Sequence, residues 1–283
     1  MRTLFLVRDL RPDEVSFHLA EVLSAAAGAS VVFVCDERNG RAQTSGFPKI
    51  SLTPERLRGL GITRFHPKWG WFWGDLCYYA AVEDFPHYDA YCLVESDVYM
   101  SAAGAVDFVD SLEETDVDVV ASHLKRGRHP KRYSKPLQDL GLDPKWGCIF
   151  PITRLTKTAV QACKTMRLRT IAEIPDQDVN DEGVLVGAMQ QENLSYADLE
   201  DVAPSQVFRE VFDTNPPYLF ETLMDLENDT TLYHPVYTLE NLIHRLNDAA
   251  EEFPRQRLLK IWRMASSEIR DQIRISTKAA PEA

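Results

Sequence analysis

LFLVRDLRPDEVSFHLAEVLSAAAGASVVFVC, residues Leu4 to Cys35, decides the fold. Leu4-Phe5-Leu6-Val7 is an uninterrupted apolar run, the pattern of a strand buried on both faces. Pro12, Asp13 and Glu14 follow, a proline and two acids suited to the first turn of a helix. Val15, Leu19, Val22, Leu23 and Ala26 then mark one face of an amphipathic helix, which Gly28 ends. Ser30 to Cys35 is a second apolar strand that closes on Asp36 and Glu37. Strand, helix and strand within about 35 residues form a βαβ unit, so a parallel sheet is expected.

Beyond this unit, residues 40–54 are rich in Gly, Ser and Thr and read as a loop, and Gly61-Ile62-Thr63 begins a short strand. Trp69, Trp71 and Trp73 alternate, which places them on one face of an extended segment. A helix over Leu76 to Phe85 precedes a strand within Tyr88 to Val98, and a further helix covers Gly104 to Glu114. Val117 to Ser122 and Trp146 to Pro151 read as strands on either side of a basic segment, residues 123–136. Helices are expected over Thr156 to Met166 and Gly183 to Gln191, and an extended run over Thr231 to Tyr237. Thr238 opens a helix with Leu239, Leu242, Ile243 and Leu246 on one face. A last helix carries Leu258, Trp262, Ala265 and Ile269, before a tail that frays. The expected organisation is an α/β domain over 1–237 and a helical extension over 238–283.

Hydrophobic residues make up 45% of the 283, which excludes a wholly disordered chain. Lys and Arg total 31 against 43 Asp and Glu, a net charge of −12, which argues against general nucleic-acid binding. Five scattered cysteines without zinc spacing fit buried thiols in the cytoplasm. No run approaches the ~20 apolar residues of a membrane span, so at most peripheral membrane association is expected. The sequence holds no Gly-x-Gly-x-x-Gly, P-loop, His-Glu-x-x-His or Gly-x-Ser-x-Gly motif, which argues against dinucleotide, P-loop, zinc-protease and hydrolase chemistry.

Glu95-Ser96-Asp97 ends an apolar strand, and ligands of open α/β sheets bind outside the carboxyl ends of strands. Hard carboxylate oxygens there suit Mg²⁺ or Mn²⁺ and, through the ion, a phosphate. The same acids also suit a solvated turn. Trp73-Gly74-Asp75, Tyr78-Tyr79-Ala80-Ala81, Tyr88-Asp89-Ala90-Tyr91 and Glu95-Ser96-Asp97-Val98 together resemble the GT-A-type glycosyltransferases, with Glu-x-Asp as a variant of their DxD motif. The likeness is concentrated in Arg2 to Val98. It implies a GT-A-like, Rossmann-type, mostly parallel sheet flanked by helices, with a helical C-terminal appendage.

The resemblance also implies roles. Asp97 and His234 would be metal ligands for Mn²⁺ or Mg²⁺. Glu95 would orient the sugar or ribose, and Asp36 would contact the nucleoside. Arg8 would approach the phosphates, while Trp73, Asp75 and Trp146 would contact donor or acceptor. Asp181 or Glu182, after Asn180, would be the catalytic base of an inverting reaction, and the sequence does not choose between them. For each the bland reading stands beside this one: helix capping for Asp75 and for Asn180 with its acids, a surface ion pair for Arg8, a turn acid for Asp36, core packing for the tryptophans, a structural imidazole for His234. The implied activity is transfer of a sugar from a nucleoside-diphosphate sugar to a saccharide, lipid-linked or protein acceptor. The rivals are a sugar nucleotidyltransferase, disfavoured because Arg8-Asp9-Leu10-Arg11 lacks glycines, and a catalytically degenerate binding module. The oligomeric state is open.

Overall fold

A computed structural model describes residues 1–26, 30–126, 131–143, 145–214, 217–226 and 229–248, without the side chains of 131–134 and 245–248. In chain order the first half comprises β1 (Thr3–Asp9), α1 (Glu14–Ala25), β2 (Ser30–Asp36), β3 (Lys49–Leu52), α2 (Pro54–Gly59), α3 (Trp69–Phe72), α4 (Leu76–Asp84), β4 (Ala90–Glu95) and α5 (Ala102–Glu114). The second comprises β5 (Val119–Arg126), α6 (Lys131–Asp139), β6 (Trp146–Thr156), α7 (Lys157–Glu173), α8 (Asp181–Glu192), β7 (Tyr196–Asp198), α9 (Leu199–Val202), β8 (Tyr218–Leu219), α10 (Phe220–Leu223), β9 (Val236–Tyr237) and α11 (Leu239–Asp248).

Among the described residues seven strands form one sheet in the order β3-β2-β1-β4-β6-β5-β7. Every pairing is parallel except those of β6, which runs against both β4 and β5. The apolar runs are uninterrupted because each face of the sheet has its own core. Leu4 and Leu6 point into a core with α4, α7 and α8, whereas Phe5 and Val7 point into another with α1 and α5. The expected βαβ start is present: the Asp13 carboxylate accepts the Val15 and Ser16 amides, and the Ser16 hydroxyl accepts the Asp13 amide.

Several expectations are corrected. The loop over 40–54 contains β3, whose Lys-Ile-Ser-Leu alternates half-buried and buried positions along the sheet edge. Gly61-Ile62-Thr63 forms no strand; Ile62 is buried but its neighbours pair with no sheet partner. The tryptophans are not on one extended face. Trp69 begins a helical turn, so Trp69 and Trp73 point inward one turn apart and Trp71 is 65% exposed. The strand at Trp146 does not stop at Pro151, because both of its neighbours continue to pair with it beyond that proline. β7 was hidden by its shortness. The turn expected at Gly28, the middle of the basic segment and the helix around Trp262 lie outside the described residues. Among the described residues no helix is long and apolar enough to cross a membrane. All five cysteines are buried free thiols.

Candidate active site

The carboxyl ends of β1, β2 and β4 lie side by side and present Arg8, Asp36 and Glu95 along one edge. The chain turns directly after Glu95, and this turn is tied to the far end of the sequence. The Val236 amide donates to the Asp97 carbonyl at 2.8 Å, and Tyr99 and Tyr233 exchange backbone hydrogen bonds at 3.0 Å each. These bonds carry His234 to the acid pair. Its Nε2 lies 3.4 Å from Asp97 Oδ1 and 3.8 Å from Glu95 Oε2. One ligand atom from each of Glu95, Asp97 and His234 falls within 4.8 Å of the others.

The donor set suits a divalent cation. His234 Nδ1 lies 2.7 Å from the Asp213 carbonyl oxygen, which can only accept, so Nδ1 carries the proton. With a cation held there the ring would be neutral and would offer it the Nε2 lone pair, the usual way an imidazole is oriented for a metal. Without a cation, burial works to lower the imidazole pKa, but the Asp97 and Glu95 charges outweigh it and the pKa is raised. Burial raises the Glu95 carboxyl, Arg8 opposes it and Asp97 adds to it. The Tyr237 hydroxyl donates to Asp97 Oδ2 at 3.3 Å.

Two cavities meet at this cluster. The larger, about 980 Å³, runs along the ends of β1 and β2 and includes Arg8, Asp36, Trp73, Glu95 and Asp97 in its lining. The smaller, about 240 Å³, includes Glu95, Asp97, His234, Asp181 and Glu182. Trp71, Glu95, Asp97 and Tyr237 line both, so the acid pair stands at the seam.

Asp181 opens α8, with Asn180 as the cap: the Asn180 side-chain oxygen accepts the Gly183 amide at 3.0 Å. Capping and an acidic site therefore coexist in this turn. Asp181 is 5% exposed, accepts the Gly74 amide at 2.8 Å and faces Arg8 Nη1 at 3.6 Å. Burial pushes its carboxyl up to about 8, against the pull of Arg8 and with the help of Glu182 and Asp75.

The remaining expected contacts are placed as follows. Arg8 lines the larger cavity, but its donors are taken by the protein: Nε and Nη2 by the Gly70 carbonyl, Nη2 also by Trp71, and Nη1 by Glu95 at 3.1 Å. Asp36 is bound through its carboxylate by the Arg38 guanidinium, which itself lies 4.3 Å from the Trp69 ring centre. Asp75 is corrected. It lines neither cavity, is 1% exposed, makes no side-chain cap bond, and gives both oxygens to Arg167 at 2.6 and 2.9 Å. Trp146 also lines neither cavity. It heads β6 beside Arg126 and packs edge-on against Tyr196 at 5.6 Å, while Ile149, Phe150 and Pro151 of the same strand reach the smaller cavity.

No protein-family model matches the sequence, and a search of curated proteins gives no match. Among solved structures the chain is similar to a glycosyltransferase involved in glycosylation of the PBCV-1 major capsid, at 10% identity over 97% of this chain and 100% of that one, with a TM-score of 0.45. It is similar to an active-site mutant of LgtC at 12% identity, 100% and 98% coverage and a TM-score of 0.44. It is also similar to the inositol-1-phosphate CTP transferase from T. maritima at 12% identity, 70% and 86% coverage and a TM-score of 0.39.

Several site residues carry no local sequence signal. Tyr237 reaches Asp97 only because β9 folds back on the acidic turn. Asn241 and His244, in the first turns of α11, line the larger cavity, and Asn241 donates to the Asp13 carboxylate. The start of the C-terminal extension thus forms part of the cavity wall.

Proposed function

We propose that the protein is a glycosyltransferase that takes a sugar from a nucleoside-diphosphate sugar and joins it to an acceptor hydroxyl. The observation that carries this reading is the Glu95–Asp97–His234 cluster at the seam of two unequal cavities, with Asp181 and Glu182 across the smaller one. The larger cavity has room for a nucleoside diphosphate and the smaller for sugar rings. Asp97 and His234, with Glu95, would hold Mn²⁺ or Mg²⁺, and the imidazole favours Mn²⁺. A cation there would offset the negative charge of the departing diphosphate. In an inverting reaction the acceptor oxygen bonds to the anomeric carbon, the bond from that carbon to the diphosphate breaks, and Asp181 or Glu182 takes the hydroxyl proton. The acceptor would be a saccharide, a lipid-linked sugar or a protein, and a peripheral membrane encounter would serve a lipid-linked one.

A thermal-shift screen of UDP-, GDP- and CMP-sugars with and without Mn²⁺ tests the reading, because a ligand that binds only the folded state raises its melting point. The expected result is a shift for one nucleotide class that requires the cation, followed by slow donor hydrolysis. No shift with any donor overturns it. Release of pyrophosphate in place of a sugar–acceptor product would identify a nucleotidyltransferase, and saccharide binding without turnover would identify a binding module.

Gly74→Ala provides a second test. A Cβ at this position would overlap Arg8 Nη1 and lie 2.7 Å from Asp181 Oδ2. Both are buried and hydrogen-bonded, so relieving the overlap must disturb the bonds that hold them. We expect the melting point to fall and turnover per folded molecule to fall about 100-fold, the effect of displacing a reacting group by about 1 Å. Unchanged turnover would remove Asp181 from the reaction.

A further inference from the structure

Arg167 lies on α7, is 0% exposed, and lines neither cavity. Every part of its guanidinium is engaged. Nε and Nη2 hold the two Asp75 oxygens, Nη1 donates to the Val179 carbonyl at 2.6 Å, and Cζ lies 4.4 Å from the centre of the Trp73 ring. The Tyr79 hydroxyl donates to Asp75 Oδ2 at 2.6 Å and fixes the carboxylate from its other side.

These contacts bracket one hydrogen bond. Trp73 and Asp75 flank Gly74, and Val179 leads through Asn180 to Asp181. The Gly74 amide donates to Asp181 Oδ2, so both ends of that bond hang on the same guanidinium. A buried ion pair adds little stability over well-packed apolar side chains, because desolvation offsets its attraction. What it adds here is registry between two segments more than 100 residues apart, as the Gly74–Asp181 bond itself is. Arginine is required because only a planar fork can take a carboxylate in two bonds and still donate to a carbonyl.

We propose that Arg167 is a positioning residue: it holds the Trp73–Asp75 turn and the start of α8 in the register that fixes the Asp181 carboxylate between Gly74 and Arg8. Its effect on turnover rests on the glycosyltransferase reading, but its effect on the Gly74–Asp181 bond does not. The experiment therefore uses two readouts on the full chain, amide hydrogen exchange at Gly74 and steady-state kinetics with whichever donor the thermal-shift screen identifies. In Arg167→Met the Gly74 amide should exchange at least about tenfold faster, because the closed state has lost its anchor. The kcat should fall about 100-fold while the donor KM stays within about twofold, since the groups at the cation cluster are untouched. Arg167→Lys should fall between, as one ammonium cannot span Asp75 and Val179.

A folded Arg167→Met with wild-type Gly74 protection and wild-type kcat overturns the proposal. Equal losses in kcat and in the fraction folded, with KM and Gly74 protection unchanged in the folded molecules, would show a merely structural role and also overturn it. If Arg167→Met does not fold, the neutral pair Asp75→Asn with Arg167→Gln replaces it, and unchanged Gly74 protection there is equally fatal. A wild-type chain that turns over no donor overturns the glycosyltransferase reading alone, and Gly74 exchange still decides the role of Arg167.

Discussion

Asp97→Ala should abolish Mn²⁺-dependent donor binding and lower turnover by at least about 1,000-fold. Three observations single out this carboxylate. It faces His234 Nε2 at 3.4 Å, it stands at the seam of the two cavities, and it shares a cluster of potential ligand atoms with Glu95 and His234. Its side chain is 24% exposed, so its removal should leave no buried cavity and the melting point should hold. Glu95→Gln should have a smaller effect. Glu95 Oε1 is already held by Arg8, and the amide oxygen of glutamine can still accept that bond. Isothermal titration with Mn²⁺ and the nucleoside diphosphate, run on both variants, orders them. If Asp97→Ala binds and turns over donor like the parent, the cation cluster is misassigned.

How far the sequence reveals this site depends on the range of the interaction that builds each part. Leu4–Val7, Ser30–Cys35 and Tyr91–Glu95 announce buried strands by local pattern, and the acids at their ends follow from the parallel topology. His234 is legible only as a residue type after an extended run. What brings it to Asp97 is backbone pairing of residues 97 and 99 with 233 and 236, and no periodicity encodes such a pairing. The tryptophan run misleads because alternation is a valid strand signal that a single helical turn also satisfies at Trp69 and Trp73. Asp75 misleads for a different reason. Its carboxylate is matched by an arginine 92 positions away, and an acid whose partner is that distant looks unpaired in one dimension. Arg167 is invisible for the same reason: within α7 it reads as one more surface cation, yet it is fully buried. The short β3 and β7 at the sheet's edges carry too few residues to show a period.

Asp181→Asn is expected to lower turnover by about 1,000-fold and to remove a pH dependence that the parent shows. A base must be deprotonated to accept a proton. Burial holds the Asp181 carboxyl up to about 8, so below that pH most molecules carry the wrong form. Parent turnover should therefore climb about tenfold per pH unit towards 8 and level off above it. The same group works against stability in that range. An acid whose folded pKa exceeds its unfolded value binds its proton more tightly in the native state. Its contribution is complete below the ordinary value of 3.8 and is lost as the pH rises through about 8. Across one window the protein should gain rate and lose melting temperature, and both trends should vanish together in Asp181→Asn. Glu182→Gln separates the two candidates. If Glu182 is the base, the large loss of turnover falls on Glu182→Gln and not on Asp181→Asn, while the dependence of melting on pH still follows Asp181. A parent enzyme with flat turnover between about pH 6 and pH 9 would show that Asp181 does not take the proton in the step that limits the rate, and would leave that role to Glu182 or to no base at all. A reaction that retains configuration, which needs no such base, would then be the chemistry to test.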